Sequence, residues 1–513
     1  MSGCECKPDR AQPSRKMISA LPVASEERAQ VCIVGSGAAG GVLAYELAGA
    51  GLDVILLEEG DELGKEDFTQ REGDLIPRIY AEAGSRATHD AAIPILQGKC
   101  LGGTTVINHG ICFRTPERIL DEWRRDFGVS GLNLDTLQPH FEKAERMIGA
   151  RKIGPAEINA NNQVFKRGCE RLGMSGDAMT LNMQPCGSCG PCNLGCPEDK
   201  KGSTLLNYLP AAVQRGARIF RNCRVESVQI ENGRAVGVTA GSFRVRANIV
   251  IIAAGAVNSP AILLRSGLAK SIPALGSAVS LHPLFPLLVF SDTPLQSMKG
   301  FPHSYYCDEF FNSASAGGSA DDFIFEGLFV SLGVFASGMG GFGREHRKLM
   351  KQLPNLGLTY VQLRDRTRGQ VRLVGGEPVV RYTLNQEDRD RARKALKLLA
   401  AICLEGGAAK VATTHVKPVV MHNKNQIAQI DQAMFRPNDL TVFSAHPQGG
   451  CPMGANPRRS VVDSQCAVHG VAGLYTCDAS VFPSPVGINP MISIMALASL
   501  TAERIIENRA VRV

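Results

Sequence analysis

The stretch that most constrains the fold is Val31 to Gly40, VCIVGSGAAG, a short apolar run followed by Gly35, Gly37 and Gly40 in Gly-x-Gly-x-x-Gly order. In that order the first glycine permits a tight turn, the second lets backbone approach a pyrophosphate, and the third lets the next helix pack closely on the strand. The N-terminus of that helix then faces phosphate charge. Small residues lead into the helix-like AAGGVLAYELAGAG, and a second apolar run, Val54 to Leu57, ends at Glu58. Glu58 lies eighteen residues after Gly40, near the roughly 20 expected for an acid that binds a ribose hydroxyl. Strand, loop, helix, strand and acid in this order predict an adenine dinucleotide site, because an ordinary strand-turn-helix has no need of the terminal acid. This unit alone leaves FAD and NAD both open.

Three later segments choose FAD. Residues 98–114, GKCLGGTTVINHGICFR, form a Gly- and Thr-rich loop whose backbone can wrap an extended cofactor. Residues 249–265, IVIIAAGAVNSPAILLR, read as a buried strand ending in small residues that can pack on a nucleotide, among them Ala254. Near the carboxyl end, GLYTCDAS places Asp478 after a strand, where it can take a ribityl hydroxyl.

Composition excludes several classes. With 513 residues, a prior of about 150 residues per domain gives two to four domains. Lys+Arg 56 against Asp+Glu 49, spread without a block, with 6% aromatic residues, argues against nucleic acid as the main partner. The 44% hydrophobic content is enough for large cores. The first thirty residues carry Cys4, Cys6, Pro8, Pro13 and mixed charge, with no apolar core for a secretory signal. Leu328 to Met339, the most apolar internal stretch, has twelve residues including Ser331 and Gly333, short of the roughly 20 that span a bilayer. A cytoplasmic protein without a membrane span is expected.

Taken together, the segments resemble the glucose-methanol-choline (GMC) oxidoreductase family from about residue 28 to 507. The motifs are Gly98-Lys99, Leu101-Gly102-Gly103-Thr104-Thr105 with Asn108, the Glu122-Trp123 pair with the only Trp, and Leu281-His282-Pro283. HPQGGCPMGANPRRSVVD and LYTCDASVFPSPVGINP look like bacterial cholesterol oxidases, whereas CGPCNLGCPEDKKGSTLLNYLPAA looks like long-chain alcohol oxidases. The resemblance implies an α/β fold, a Rossmann-type FAD-binding domain with an interleaved α+β substrate domain built on an antiparallel sheet. It implies cofactor contacts from Gly35, Gly37, Gly40, Glu58, Gly102, Gly103, Thr104, Asn108, His109, Ile111, Val225, Ala254, Asp478, Pro490 and Met491. In members with flavin attached to His, that His directly precedes the loop Asn; here the position is Ile107, so FAD is expected to bind noncovalently.

The family's chemistry removes a proton from a substrate hydroxyl while its carbon passes hydride to flavin N5. His446 matches the base position, and Asn489 matches the partner position, where many relatives carry a second His. Neutral imidazole can accept the hydroxyl proton near working pH, and an amide donor can orient the alcohol oxygen without competing for that proton. Pro490 suits the first position of a helix running through Ala496 to Ile506. Its N-terminus would favour the negative charge of reduced flavin.

Cys186, Cys189, Cys192 and Cys196, followed by Pro197, have the C-x2-C-x2-C-x3-C spacing of bacterial ferredoxins. The clustering predicts metal chemistry in a reducing compartment, with an iron-sulfur cluster (3Fe-4S or 4Fe-4S) as the leading reading. In two-cluster ferredoxins the fourth Cys serves the other cluster, so a remote ligand such as Cys169 or Cys223 is an alternative. Structural zinc or a metal-free insertion are the others. A cluster beside flavin would favour a dehydrogenase feeding an external acceptor, a quinone, cytochrome or electron-transfer protein, over an oxidase using oxygen.

The FAD-binding domain is expected from residues 28–130, 200–290 and 440–513. Residues 131–199, with the Cys-rich insertion, and 291–439 are expected to form the substrate domain. Within the latter, Gln370 to Val374 and Val379 to Leu384 read as a β-hairpin across Gly375-Gly376, and Asn385 as the cap of a helix to Glu405 ended by Gly406-Gly407. Asn312 to Asp322 reads as a surface loop or lid. If the apolar Leu284 to Phe290 and Phe323 to Phe342 line the cavity, the small-molecule substrate is a lipophilic alcohol oxidised to aldehyde or ketone, although core packing explains the same composition. The alternatives are an alcohol or sugar oxidase, a flavin and iron-sulfur electron-transfer subunit without alcohol chemistry, and a redox-neutral flavin reaction such as a lyase.

Overall fold

The computed structural model describes residues 18–20, 25–187, 189–312, 321–328, 332–338 and 341–510. Cys4, Cys6, Pro8 and Pro13, most of the Asn312 to Asp322 loop, and parts of Leu328 to Met339 lie outside the described residues.

Two sheets organise the chain. The first has eight strands in the order Ile18–Ala20, Arg218–Arg221, Val54–Leu57, Glu26–Val34, Phe243–Ile252, Arg234–Ala240 and Ser227–Glu231, with Leu474–Thr476 also paired to Phe243–Ile252. The long strand Phe243–Ile252 is shared: Phe243 to Arg246 pair antiparallel with Arg234–Ala240, and Val250 to Ile252 pair parallel with Leu474–Thr476. Its other edge runs parallel to Glu26–Val34. Val31 to Val34 and Val54–Leu57 are buried throughout, as expected of parallel strands covered on both faces. The helices Ala38–Gly49 and Met491–Ala510 pack against each other in this layer.

The second sheet is antiparallel, in the order Val420–Met421, Lys410–Thr413, Leu284–Phe290, Leu356–Leu363, Phe323–Leu328, Tyr305–Cys307 and Asp177–Ala178. Strand alternation gives it two unlike faces. Phe285, Leu287, Val289, Phe325, Val361 and Leu363 share a core with Phe165, Leu396 and Leu399 of the helices Ala160–Arg171 and Gln386–Glu405. Leu284, Leu288, Phe290, Leu328, Leu356, Leu358 and Tyr360 form a separate cluster on the opposite face.

Local rules are obeyed where the chain turns. Gln370–Val374 and Glu377–Arg381 form the hairpin. The Asn385 side chain accepts from the Asp388 N–H at 2.8 Å and caps the helix Gln386–Glu405. Pro490 immediately precedes the helix Met491–Ala510 and accepts the Ile494 N–H at 2.9 Å. Among the described residues no helix is long and apolar enough to cross a membrane.

Candidate active site

The glycine loop is shaped by close approach. Gly35 has φ +98°, and a Cβ there would lie 2.4 Å from the Ala253 carbonyl; at Gly40 it would lie 1.8 Å from the Gly35 carbonyl. A Cβ at Gly37 would meet no protein atom within 4 Å, and Gly37 caps the N-terminus of the helix Ala38–Gly49. One side of the loop is therefore locked by backbone, while the side at the helix N-terminus has the clearance a pyrophosphate requires. Gly102, Gly103 and Thr104 arrive from the second loop. The Gly102 N–H donates to Ser36 Oγ at 2.9 Å, Thr104 Oγ1 accepts the Gly98 N–H at 3.0 Å, and a Cβ on Gly103 would lie 3.0 Å from Gly37 Cα.

Glu58 is buried directly behind this loop. Its Oε2 accepts the Ser36 N–H at 3.0 Å and Ser36 Oγ at 2.7 Å, and Oε1 accepts the Gly60 N–H at 2.8 Å. Burial raises its pKa to about 7 against the opposing effect of these donors. A carboxylate has about four acceptor positions, so three protein donors leave one on Oε1 for a ribose hydroxyl. Val225 is buried in the turn whose Cys223 N–H donates to the Glu58 carbonyl at 2.7 Å. Asp478 accepts from the Gly255 N–H at 2.8 Å, Ser259 Oγ at 2.5 Å and the Ser480 N–H at 2.7 Å, which places it beside Ala254 at the start of the helix Gly255–Arg265. These residues fit an extended dinucleotide by donor set and clearance.

Asn108 donates from Nδ2 to the Met491 sulfur at 3.0 Å, joining the second loop to the last helix beside Pro490. Ile111 bridges to Leu181 and lies in the core on the side of the antiparallel sheet. His109 points the same way: its Nδ1 lies 3.0 Å from His303 Nε2.

His446 and Asn489 are brought together, with Asn489 Nδ2 3.3 Å from His446 Nε2. Burial, with His303 nearby, lowers the His446 pKa to about 3, so the ring is neutral and able to accept a proton. The turn carrying Asn489 is clamped by side chains from elsewhere. The Gly487 N–H donates to His282 Nε2 at 3.0 Å, Gln362 Nε2 donates to the Gly487 carbonyl at 3.2 Å, and Gln448 Oε1 accepts the Val486 N–H at 3.1 Å. His282 is itself held at φ +45°. Asp365 accepts the Leu281 and His282 N–H groups at 3.0 and 3.2 Å and the Tyr382 hydroxyl at 2.7 Å. The Glu122-Trp123 pair acts on the same turn: Trp123 Nε1 donates to Ser484 Oγ at 2.9 Å, and Arg364 links both Glu122 oxygens, at 2.6 and 2.8 Å, to the Pro485 carbonyl at 2.8 Å.

Sequence reasoning missed a buried polar group next to this pair. Glu326, fully buried, accepts from the Tyr360 hydroxyl and lies 3.3 Å from His303 Nδ1. The Asn489 side chain lies close enough to the Tyr360 hydroxyl to oppose the rise that burial and Glu326 impose on its pKa. The signal available was a lone acid in the apolar run FIFEGL.

The four cysteines line one small cavity with Met183, Glu198, Lys200 and Lys201. Among the described residues, however, no three His, Cys, Asp or Glu side chains are gathered as a metal-holding group. Cys189 is exposed, whereas Cys186, Cys192 and Cys196 are half-buried. Lys201, missed in the sequence, ties this loop to the second glycine-rich loop: its buried Nζ donates to the carbonyls of Val106 at 2.7 Å, Asn108 at 2.5 Å and Cys192 at 2.7 Å. Burial lowers its pKa to about 8.

Comparison with known proteins agrees with this geometry. The amino- and carboxyl-terminal profiles of the GMC oxidoreductase family match residues 76–284 and 365–498, that of FAD dependent oxidoreductases matches 202–408, and an NAD(P)-binding Rossmann-like domain matches 33–92. An uncharacterized GMC-type oxidoreductase of Mycobacterium tuberculosis is 32% identical over 97% of this chain and 79% of its own. A long-chain-alcohol oxidase of Arabidopsis thaliana is 27% identical over 93% of this chain and 66% of its own. Among solved structures, pyridoxine 4-oxidase from Mesorbium loti superposes with a TM-score of 0.72 at 18% identity, covering 93% of this chain and 99% of that one. The chain belongs to the GMC oxidoreductase family and is an FAD-dependent oxidoreductase.

Proposed function

We propose that the protein is an FAD-dependent alcohol dehydrogenase acting on a CH–OH donor with a lipophilic body, with His446 as proton acceptor and Asn489 orienting the hydroxyl. The observation that carries the substrate class is the graded face of the antiparallel sheet. Phe290, Leu356, Leu288, Leu358 and Leu328 form a buried apolar face, packed under Phe335, Leu349 and Met350, that ends at the register pair Glu326 and Tyr360 in polar groups near Asn489. An alkyl, aromatic or terpenoid body admitted along that face would present its hydroxyl at the polar end, which suits it better than a polyol. FAD, held by the two glycine-rich loops, Glu58 and Asp478, supplies the hydride acceptor when bound. Ile107 is buried and offers no nucleophile, in keeping with noncovalent attachment.

On this reading the domains divide as the two sheets do, so that Leu284–Phe290 goes with the substrate domain. The test is anaerobic flavin bleaching with long-chain, aromatic, steroid and sugar alcohols: rapid bleaching by a lipophilic alcohol supports the reading, and bleaching by sugars alone sinks it. His446→Ala should slow bleaching by on the order of 100- to 10,000-fold with FAD retained.

An iron-sulfur cluster at Cys186, Cys189, Cys192 and Cys196, with electrons leaving to an external acceptor, is the finer part of the proposal. Its support is the ferredoxin spacing, the shared cavity, and the free state of all 14 cysteines among the described residues, which suits a reducing cytoplasm. Iron and acid-labile sulfide in anaerobically purified protein, lost in Cys192→Ala with flavin retained, are expected; zinc, or no metal, overturns it. Flavin reoxidised faster by oxygen than by quinone or cytochrome favours the oxidase reading instead.

A further inference from the structure

The helix that covers the apolar face has a different character on its outer side. Leu349 and Met350 of the helix Arg344–Met350, with Leu353 just beyond it, pack on the cluster of Leu288, Leu328 and Leu358, which also takes in Ala445, the residue before His446. Arg344, Arg347, Lys348 and Lys351 recur at i, i+3, i+4 and i+7, the spacing of one helical face, and all four are exposed. Lys348 pairs with Glu345 at 2.8 Å; Arg344, Arg347 and Lys351 make no ion pair among the described residues. Immediately before the helix stands Phe342, between Gly341 at φ +97° and Gly343 at φ +59°. Its exposure is 94%, the highest of the large apolar residues that reach the surface. Leu332, 46% exposed, opens the helix Leu332–Gly338, whose Phe335 is buried in the same cluster.

We propose that Phe342, with Arg344, Arg347, Lys348 and Lys351, docks the protein on an anionic lipid bilayer, the cations on headgroup phosphates and the ring in the acyl boundary. Charge complementarity selects this occupant: residues 341–353 carry these four cations against the single acid Glu345. Each lysine or arginine close to an anionic membrane strengthens adsorption by about fivefold, so the three unpaired cations together supply on the order of 100-fold. The ring selects a fluid phase over a protein partner. A protein interface buries about 800 Å² a side around anchors seated in pockets, whereas a single aromatic projecting beside a basic face needs only an apolar phase with an anionic boundary. Docking sets the cover of the apolar face against the phase in which a lipophilic alcohol is concentrated. That consequence rests on the lipophilic substrate reading; the docking itself does not.

The test is flotation of the FAD-loaded protein with vesicles of phosphatidylcholine mixed with phosphatidylglycerol, and with phosphatidylcholine alone. Wild type should float with the anionic vesicles, leave them at high salt, and bind the neutral ones far more weakly. Combining Arg344→Gln, Arg347→Gln and Lys351→Gln should weaken binding on the order of 100-fold, and Phe342→Ser about tenfold. Both variants should keep FAD and the wild-type rate of bleaching by a water-soluble alcohol. The native Trp123 is buried, so brominated lipid should quench only the fluorescence that Phe342→Trp adds. Equal binding of wild type and the triple variant, or no such quenching in vesicle-bound Phe342→Trp, overturns the proposal. Retention of wild type on an immobilised acidic ferredoxin, lost in the triple variant and without vesicle binding, assigns the face to a protein partner and overturns it too. Docking without bleaching by any lipophilic alcohol would leave the face standing and remove the substrate reading, whereas bleaching by such alcohols without vesicle binding overturns the docking alone.

Discussion

The Gly487 N–H donates to His282 Nε2 at 3.0 Å, two residues before Asn489, so an imidazole from the Leu281-His282-Pro283 motif holds the turn that carries Asn489. Removing it strands a buried N–H, which costs about 1–3 kcal/mol, and loosens Asn489. His282→Ala should lower the unfolding free energy by at least that amount and slow flavin reduction by about tenfold or more, since small misplacements of positioned groups cost up to about 100-fold. Urea unfolding together with stopped-flow bleaching checks both. A variant that loses stability and keeps its rate would show that the clamp does not reach Asn489.

The same imidazole makes stability depend on pH. Burial holds His282 and His109 well below the ordinary histidine value, and His446 at about 3. Below about 6.5 the unfolded chain therefore binds protons that the folded chain refuses, and stability present above that pH is lost as pH falls. Glu58, raised to about 7, and Asp365, raised to about 6, act in the opposite sense, because folding makes them hold a proton longer. Comparison with His282→Gln isolates one ring. The stability advantage of wild type should shrink by up to about 1.4 kcal/mol per pH unit below about 6.5. An advantage constant between pH 7.5 and 5.5 would mean that His282 does not titrate on unfolding.

The dinucleotide loop, the His446 and Asn489 pair, the hairpin and the Asn385 cap were legible because each is local in sequence or carried by a contiguous motif. Glu326 and Tyr360 were not, since only the register of two strands sets them opposite each other, and neither residue carries a spacing signal. The reason for His282 was hidden as well: a motif named it, but its partner Gly487 lies 205 residues away. The four cysteines show the converse limit, because spacing proposes ligands but does not fix how the side chains gather.

Glu122 and Arg364 extend the clamp outward. Arg364 binds both Glu122 oxygens and the Pro485 carbonyl, with side-chain exposures of 10% for Arg364 and 21% for Glu122. Breaking a buried pair by removing one partner costs about 3–5 kcal/mol. Glu122→Ala should fall near the lower end because the pair is not fully buried and Asp322 also lies 3.4 Å from Arg364. Urea denaturation should register this loss, and the Pro485 turn should lose order with it, slowing flavin reduction. A loss below about 0.5 kcal/mol, the scale of an exposed pair, would exclude the clamp.

Gly37 and Gly40 separate cofactor binding from folding. Gly37 has φ −65°, and an added methyl meets no protein atom within 4 Å. Gly37→Ala should therefore leave the melting temperature of the apoprotein unchanged or slightly raised, since alanine restricts the unfolded chain by about 0.4–1 kcal/mol. The methyl would nevertheless occupy the clearance at the helix N-terminus and push the pyrophosphate off the backbone N–H groups, and FAD affinity should drop by tenfold or more, about 1.4 kcal/mol per tenfold. At Gly40 the same methyl would lie 1.8 Å from the Gly35 carbonyl, so Gly40→Ala should lose fold and cofactor together. Apoprotein melting and FAD titration of the two variants distinguish the roles. Wild-type FAD affinity in Gly37→Ala would place the pyrophosphate away from this helix.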